Sequence, residues 1–205
     1  MKLNLGCGSQ ILEGWINVDY ALGARLRKLP LFSLMNRKIK FFNFDWDKRI
    51  VVHDLRKKFP WRDNSIDTIY SSHLLEHFSK EEGVDFLGEC YRVLKKYGLI
   101  RIVVPDLSVI VSEYINGNIR ADEFVQKLGV LYGNCYYRSL KRKLSPFIGF
   151  PHKCMYDTKT LLIIMTEIGF EIENKKPFES DIPDIMNKEL PGRTKDAVIV
   201  EGKKV

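Results

Sequence analysis

Short apolar runs alternate along this chain with amphipathic segments, and the alternation predicts strands and helices in turn. Five apolar runs predict strands, at 2–6, 15–20, 50–55, 66–72 and 99–104. Before the last of them, apolar positions recur at spacings of three and four, which predicts a helix over 80–96 with Gly98 as its C-terminal cap. Strands joined in turn by helices imply parallel strands and right-handed crossovers, so the pattern predicts an α/β fold with helices on both faces of one sheet.

The regular alternation is interrupted between residues 106 and 156, where aromatic and basic residues are mixed with glycine and proline. We expect a mostly helical insertion there, which serves as a lid on the substrate side of a binding site. After it, the pattern predicts a helix over 158–168 and strands at 170–173 and 196–201. A further helix, interrupted by a proline, is predicted over 21–40.

Length and composition restrict the class of protein. The 205 residues are 45% apolar and 29% charged, and no run of 18 apolar residues occurs, which predicts one globular domain over 1–205 and no membrane-spanning helix. Four cysteines are spread along the chain with no pair at metal-ligand or redox spacing: Cys7, Cys90, Cys135 and Cys154. Since the first residues also lack the character of a signal peptide, we expect free thiols and a cytoplasmic protein.

The net charge of +7 is concentrated in two segments. Residues 24–40 and 124–153 each contain six lysines or arginines and no acid, so the remainder of the chain is net acidic. The first segment is also amphipathic, as expected for a helix that rests on anionic lipid or binds a phosphate-bearing substrate, although a solvated basic face would give the same pattern. No RNA-binding motif accompanies the charge, and we therefore expect no nucleic acid partner.

The first two predicted strands end in residues suited to a nucleoside. The turn Gly6-Cys7-Gly8-Ser9 follows the first strand, and Asp19-Tyr20 ends the second. A glycine turn lets a ligand approach the backbone, and a carboxylate at the next strand end can accept hydrogen bonds from ribose hydroxyls. Ile11 replaces the third glycine of a dinucleotide fingerprint, and little room is left for a helix to hold a pyrophosphate. These features favour a nucleoside cofactor without phosphates, such as S-adenosylmethionine, over a plain strand-to-loop turn.

Two further strand ends extend the same edge of the sheet. Asp54-Leu55 ends the third strand, where a carboxylate and a backbone N–H are suited to the edge of an adenine, and Ser72-His73 ends the fourth. With these in place, the stretches LNLGCG, GWINVDY, VVHDL, DNSIDTIYSSHLLEHF and RVLKKYGLIRIVVPD resemble class I S-adenosylmethionine-dependent methyltransferases, specifically a small bacterial type 11-like subgroup. The resemblance covers residues 3–106 and resumes at 158–170 and 196–201.

The resemblance implies a fold, a cofactor and a set of binding residues. The fold is Rossmann-like, with a seven-stranded, mostly parallel sheet whose last strand is antiparallel. The cofactor is S-adenosylmethionine, with S-adenosylhomocysteine as product. The resemblance places Gly6 and Gly8 against the methionine part of the cofactor, Asp19 on the ribose and Asp54 on the adenine. His73 would line the cofactor on the side that faces the acceptor.

Three histidines are candidate general bases for methyl transfer: His73, His77 and His152, with Asp106 as a further candidate. Each of them could equally be structural. His73 to His77 also spells H-x-x-E-H, a zinc signature when all five residues lie on one helix. Because His73 ends a strand, we expect no metal, and a zinc hydrolase is a less favoured alternative.

Charge and resemblance together predict a methyltransferase that acts on a small or glycan- or lipid-linked, anionic acceptor. Peripheral contact with the inner face of an anionic membrane is part of this expectation. An inactive S-adenosylmethionine-binding module or partner subunit, and an RNA methyltransferase, are the remaining alternatives. No residue pattern specifies an oligomeric state.

Overall fold

The computed structural model describes residues 1–27, 29, 46–131 and 150–205, and the structural statements below concern these residues. Much of the helix predicted over 21–40 and most of the second basic segment lie outside them. Helix α1 (Leu22–Leu26) lies at the start of the helix predicted over 21–40. None of the described helices is both long and apolar enough to cross a membrane.

Seven strands form one sheet in the order β3-β2-β1-β4-β5-β7-β6. They are β1 (Lys2–Leu5), β2 (Ile16–Asp19), β3 (Val51–Val52), β4 (Ile66–Ser72), β5 (Leu94–Pro105), β6 (Phe170–Asn174) and β7 (Ala197–Lys204). Strands β1 to β5 pair in parallel, and β7 runs antiparallel to both β5 and β6. The predicted α/β, Rossmann-like fold with an antiparallel last strand is confirmed. The strand order reverses at β1 and β4, and in open sheets of this kind ligands bind outside the carboxyl ends of the strands at such a point.

The other described helices are α2 (Lys80–Val93), α3 (Leu107–Ile115), α4 (Ala121–Lys127), α5 (Thr158–Ile168) and α6 (Pro191–Thr194), with short 3-10 helices at Leu75–His77 and Ile185–Asn187. Helix α2 begins with a capping box, in which the backbone N–H of Glu82 donates to the Ser79 hydroxyl and that of Ser79 donates to the Glu82 carboxylate. Helix α5 ends at Gly169, whose φ of +113° provides the left-handed cap. The helix predicted over 158–168 is confirmed.

The prediction that α2 continues to residue 96 and is capped by Gly98 is wrong. The helix ends at Val93 because Leu94 turns to an extended conformation, is fully buried and pairs with Ile66 of β4. Gly98 has a different role, since a Cβ there would lie 2.9 Å from the carbonyl oxygen of Lys95. The glycine lets two stretches of backbone pass closely.

Two connections near β1 set the shape of the site. Among the described residues no helix separates β1 from β2, where the sequence left little room for one, and the Asn4 amide donates to the Asn17 side chain at 2.9 Å. The predicted third strand is shorter than expected, with β3 limited to two residues. Residues 53–55 lead instead into a turn in which the backbone N–H of Lys57 donates to the Asp54 carbonyl at 3.0 Å, and they are tied to β2 where the backbone N–H of His53 donates to the Asp19 carbonyl at 3.3 Å.

Both faces of the sheet are covered by apolar packing, as the alternation of residues along β4 and β5 requires. Ile69 and Ile102 belong to a core cluster that includes side chains of α2 and α5. Tyr70 and Val103, one position further along each strand, belong to a second cluster that includes Trp15. The sheet is therefore a rigid platform for the residues at its carboxyl edge.

The interrupted segment 106–156 contains α3 and α4, so its helical character is confirmed for the described part. Asp106 caps α3, because its carboxylate accepts hydrogen bonds from the backbone N–H and the hydroxyl of Ser108 at 2.8 and 2.6 Å. This use of the carboxylate disfavours Asp106 as a general base. A lid function for the segment, and a single domain over 1–205, stay predictions.

Candidate active site

The glycine turn lies at the carboxyl end of β1, held by β2. Backbone N–H groups of Gly6 and Cys7 both donate to the carbonyl of Val18, at 2.9 and 3.1 Å. Gly6 and Gly8 have φ values of +70° and +54°, in the left-handed region of the backbone that residues other than glycine rarely adopt. A Cβ at Gly6 would lie 2.8 Å from the Cβ of Leu74, whereas at Gly8 the nearest atom would be an Arg193 guanidinium nitrogen at 3.9 Å. Gly6 is thus required by packing, and Gly8 leaves room for a ligand.

Asp19 holds the turn through its carboxylate. One oxygen accepts from the backbone N–H of Gly8 at 2.8 Å, and the other accepts from Ala21 at 2.7 Å. The residue is 8% exposed, and burial raises the pKa of the carboxyl group although the two backbone donors act in the opposite direction. Each oxygen keeps a further lone pair for a ligand donor, and contact of Asp19 with a ribose stays a prediction. That it also shapes the turn was not evident from the sequence.

Other predicted residues of the turn have simpler surroundings. Cys7 is buried, and burial raises the pKa of its thiol to about 12, so it stays protonated and unreactive at neutral pH. Ser9 is exposed at the far end of the turn. Tyr20 places its ring under the Arg25 guanidinium, 4.8 Å from the ring centroid. Cys7 and Ser9 belong to the turn and Tyr20 follows β2, and contact of any of the three with a cofactor stays a prediction.

The turn after β3 brings Asp54 to the same edge. Its carboxylate binds the Arg56 guanidinium through two hydrogen bonds of 2.8 Å, and that contact lowers the pKa of the carboxyl group. Leu55 packs its side chain in the main core, which leaves only its backbone for a ligand. Contact of Asp54 and Leu55 with an adenine stays a prediction.

At the end of β4, His73 is held on both sides of its ring. Its φ is +54°, its Nε2 lies 2.9 Å from the Arg193 carbonyl and its Nδ1 lies 3.3 Å from a Glu76 carboxylate oxygen. Burial acts to lower the pKa of His73, but the contacts with Glu76 and the Arg193 carbonyl outweigh it and raise the pKa. With both nitrogens engaged, His73 is a less suitable general base than the sequence indicated.

Arg193 is a site residue that the sequence did not indicate. It belongs to α6, and its guanidinium donates to the carbonyl of Ser72 at 3.2 Å and faces the position above Gly8. Its charge also opposes the rise in the pKa of Asp19. An arginine between β6 and β7 has no local motif, so only the fold reveals this placement.

The other two predicted bases meet beyond β4. The rings of His77 and His152 have centroids 5.1 Å apart. Nδ1 of His152 lies 2.8 Å from the Leu128 carbonyl, and Nδ1 of His77 lies 3.5 Å from that of Pro151. Burial lowers the pKa of His77. The H-x-x-E-H stretch is not one helix, as expected, because His73 has a left-handed backbone and the 3-10 turn begins at Leu75.

A comparison of the sequence with models of protein families identifies the family. Residues 3–102, about half of the chain, match the model of a family described as a methyltransferase domain. The chain belongs to the class I S-adenosylmethionine-dependent methyltransferases. A search of the curated proteins returned no match for this methyltransferase.

Solved structures show the same fold at low sequence identity. An S-adenosylmethionine-dependent methyltransferase from Methanosarcina mazei is 17% identical with a TM-score of 0.55, and the match covers 100% of this chain and 92% of that one. A second, from Archaeoglobus fulgidus, is 17% identical with a TM-score of 0.51, and the match covers 99% of this chain and 85% of that one. A protein from Pyrococcus horikoshii is 15% identical with a TM-score of 0.55, and the match covers 100% of this chain and 81% of that one. At these identities the likeness concerns the fold.

The cofactor of this methyltransferase is S-adenosylmethionine, and the residues at the carboxyl edge of the sheet fit it. Gly8 leaves space against the backbone where a side chain would intrude, and Asp19 offers free lone pairs beside that space. No described helix follows the glycine turn to hold a pyrophosphate, in keeping with a nucleoside that lacks phosphates.

Proposed function

We propose that this methyltransferase acts on a small or glycan- or lipid-linked acceptor that carries negative charge. The observation that carries the proposal is Arg193, whose guanidinium faces the turn at Gly8 and, among the described residues, forms no ion pair within 4 Å. A guanidinium placed in this way can donate two parallel hydrogen bonds to two oxygens of a carboxylate or phosphate group. The two basic segments of the sequence support an anionic acceptor and contact with an anionic membrane.

The bound cofactor supplies an electrophilic methyl group on a sulfonium centre. The protein then has to align the acceptor and, where the acceptor is a hydroxyl or a protonated amine, accept its proton. His77 and His152 each keep one ring nitrogen that no hydrogen bond to a described residue occupies. They lie beyond β4, on the same edge of the sheet as the glycine turn, which supports a role on the acceptor side.

Methyl transfer from radiolabelled S-adenosylmethionine to paired acceptors tests the proposal. We expect transfer to sugar phosphates or lipid-linked anionic glycans, and at least about tenfold less to their uncharged counterparts, because a lost charge-assisted hydrogen bond is worth about 1.5–3 kcal/mol. Arg193→Met should raise the acceptor KM by a similar factor. The matched control, Lys195→Met, removes an exposed charge two residues away and should leave KM unchanged.

Three outcomes would contradict the proposal. Equal transfer to charged and uncharged acceptors would remove the charge preference. Loss of S-adenosylhomocysteine affinity in Arg193→Met, with the acceptor KM unchanged, would assign the guanidinium to the cofactor. Cofactor binding with no transfer to any acceptor would favour an inactive binding module.

A further inference from the structure

Glu76 is a buried carboxylate that lacks a full set of partners. Its side chain is 1% exposed, and among the described residues its contact with the His73 ring is an ion pair, while neither carboxylate oxygen accepts a hydrogen bond of good geometry. Its backbone is fixed, because its carbonyl accepts from the N–H groups of Lys153 and Cys154 at 2.8 and 3.2 Å. An ionised carboxylate is costly to bury unless it is well paired, and the oxygen that does not face His73 is available to a cation.

Three of the four histidines in the chain surround this carboxylate. One ligand atom each of Glu76, His77 and His152 lie within 4.8 Å of one another. Zinc binds such atoms at about 2.0–2.2 Å, which places tetrahedral ligands about 3.4 Å apart, so small side-chain rotations would bring the three into range. The third histidine, His73, places its Nδ1 3.3 Å from a Glu76 oxygen.

The hydrogen bonds behind the rings suit metal ligands. A histidine that binds a metal commonly donates its second ring N–H to a backbone carbonyl, which fixes the tautomer and the ring orientation. Nδ1 of His152 is 2.8 Å from the Leu128 carbonyl, which leaves its Nε2 for an ion. His77 is arranged similarly towards Pro151, with a longer distance of 3.5 Å.

We propose that Glu76, His77 and His152 bind a divalent transition-metal ion, with Zn²⁺ the preferred occupant. Two histidines and one carboxylate form a ligand set typical of zinc, and three protein ligands leave a coordination position open. This set differs from the H-x-x-E-H signature, which pairs the two outer histidines on one helix. It joins Glu76 and His77 to His152, more than a third of the chain length away.

The site adjoins the cofactor turn. Leu74, two residues before Glu76, is the side chain that fills the space against Gly6. An acceptor oxygen at the open position would lose its proton more readily, because a bound divalent ion lowers the pKa of an oxygen ligand. This use of the ion rests on the proposed function, whereas binding of the ion does not.

Calorimetric titration with Zn²⁺ alone tests the site, on untagged protein first dialysed against a chelator. We expect one Zn²⁺ per chain, with Glu76→Gln and His152→Asn each weakening the affinity about 100-fold or more, since loss of supporting contacts alone costs 10–100-fold. The matched controls are Glu81→Gln, an exposed glutamate of α2, and His53→Asn, the histidine outside the cluster. Both should bind Zn²⁺ as the wild type does.

Thermal unfolding with and without Zn²⁺ gives a second readout. Zn²⁺ should raise the Tm of the wild type and of both controls but not that of His152→Asn. If Glu76→Gln does not fold, His152→Asn decides the question, because His152 is only half-buried. Wild-type protein that binds no Zn²⁺, or variants that bind it as tightly as the wild type, would overturn the site. Titration with S-adenosylhomocysteine, run separately, shows whether the cofactor site is intact.

Discussion

At the scale of single residues, the two glycines of the turn have different physical roles. Both have positive φ, so both favour glycine, but only Gly6 has a neighbour that an added methyl would overlap. The sequence indicated the turn and could not separate these roles, because the neighbour, Leu74, comes from a distant strand end. Asp19 is a similar case, since its strand-end position was visible but its hydrogen bond to Gly8 was not.

The two glycine variants should therefore separate stability from cofactor affinity. Gly6→Ala should lower the free energy of unfolding by about 2–4 kcal/mol, from the left-handed backbone and the overlap with Leu74. Gly8→Ala should cost only about 1 kcal/mol. It should nevertheless weaken S-adenosylhomocysteine binding about tenfold, because its Cβ enters the space left for the ligand. Urea unfolding and calorimetric titration measure the two quantities. Equal losses of stability in both variants would contradict the distinction.

At the scale of elements, the segment between β6 and β7 is anchored from within the sheet. Arg101 of β5 is fully buried, and its guanidinium binds Glu189 through two hydrogen bonds of 2.8 and 3.0 Å and Glu201 through one of 2.8 Å. The pairing links β7 to the segment that leads into α6. Arg101 thereby fixes the start of α6, and α6 positions Arg193 at the site.

Breaking the anchor should be costly. Arg101→Met leaves two buried carboxylates without their partner and should lower the free energy of unfolding by about 3–5 kcal/mol. Arg62→Met, an exposed arginine in a turn, is the control and should change it by less than about 0.5 kcal/mol. Urea unfolding midpoints provide the comparison. A midpoint for Arg101→Met equal to that of the wild type would show that the anchor contributes nothing.

The spacing of apolar residues does not by itself locate the end of helix α2. Spacings of three and four continue through Leu94, yet the helix ends one residue earlier because pairing with Ile66 buries Leu94 in an extended conformation. The periodicity of apolar residues indicates which side chains are buried. It does not indicate whether a buried residue such as Leu94 lies in the last turn of a helix or at the start of a strand. Element boundaries are therefore set by tertiary pairing, whereas the order of strands and helices is set by local pattern.

At the scale of the whole molecule, the sequence predicted the fold, because the alternation of strands and helices indicates a parallel α/β sheet and the family resemblance implies its antiparallel last strand. It did not predict the contacts that join distant parts of the chain. Arg193 approaches Ser72, and His152 approaches His77, across separations that no local motif spans. Those two contacts bear most directly on the acceptor side of the proposed site.

Binding of S-adenosylhomocysteine to purified protein, measured by calorimetric titration, tests whether the cofactor binds at the carboxyl edge of the sheet. We predict one site per chain, with Asp19→Ala weakening the affinity about 100-fold or more, since the change removes a ligand acceptor and two hydrogen bonds that shape the turn. Asp85→Ala, an exposed carboxylate on α2, should bind as the wild type does. Folded wild-type protein that does not bind the product, or an Asp19→Ala variant with unchanged affinity, would contradict the placement of the cofactor at this edge of the sheet.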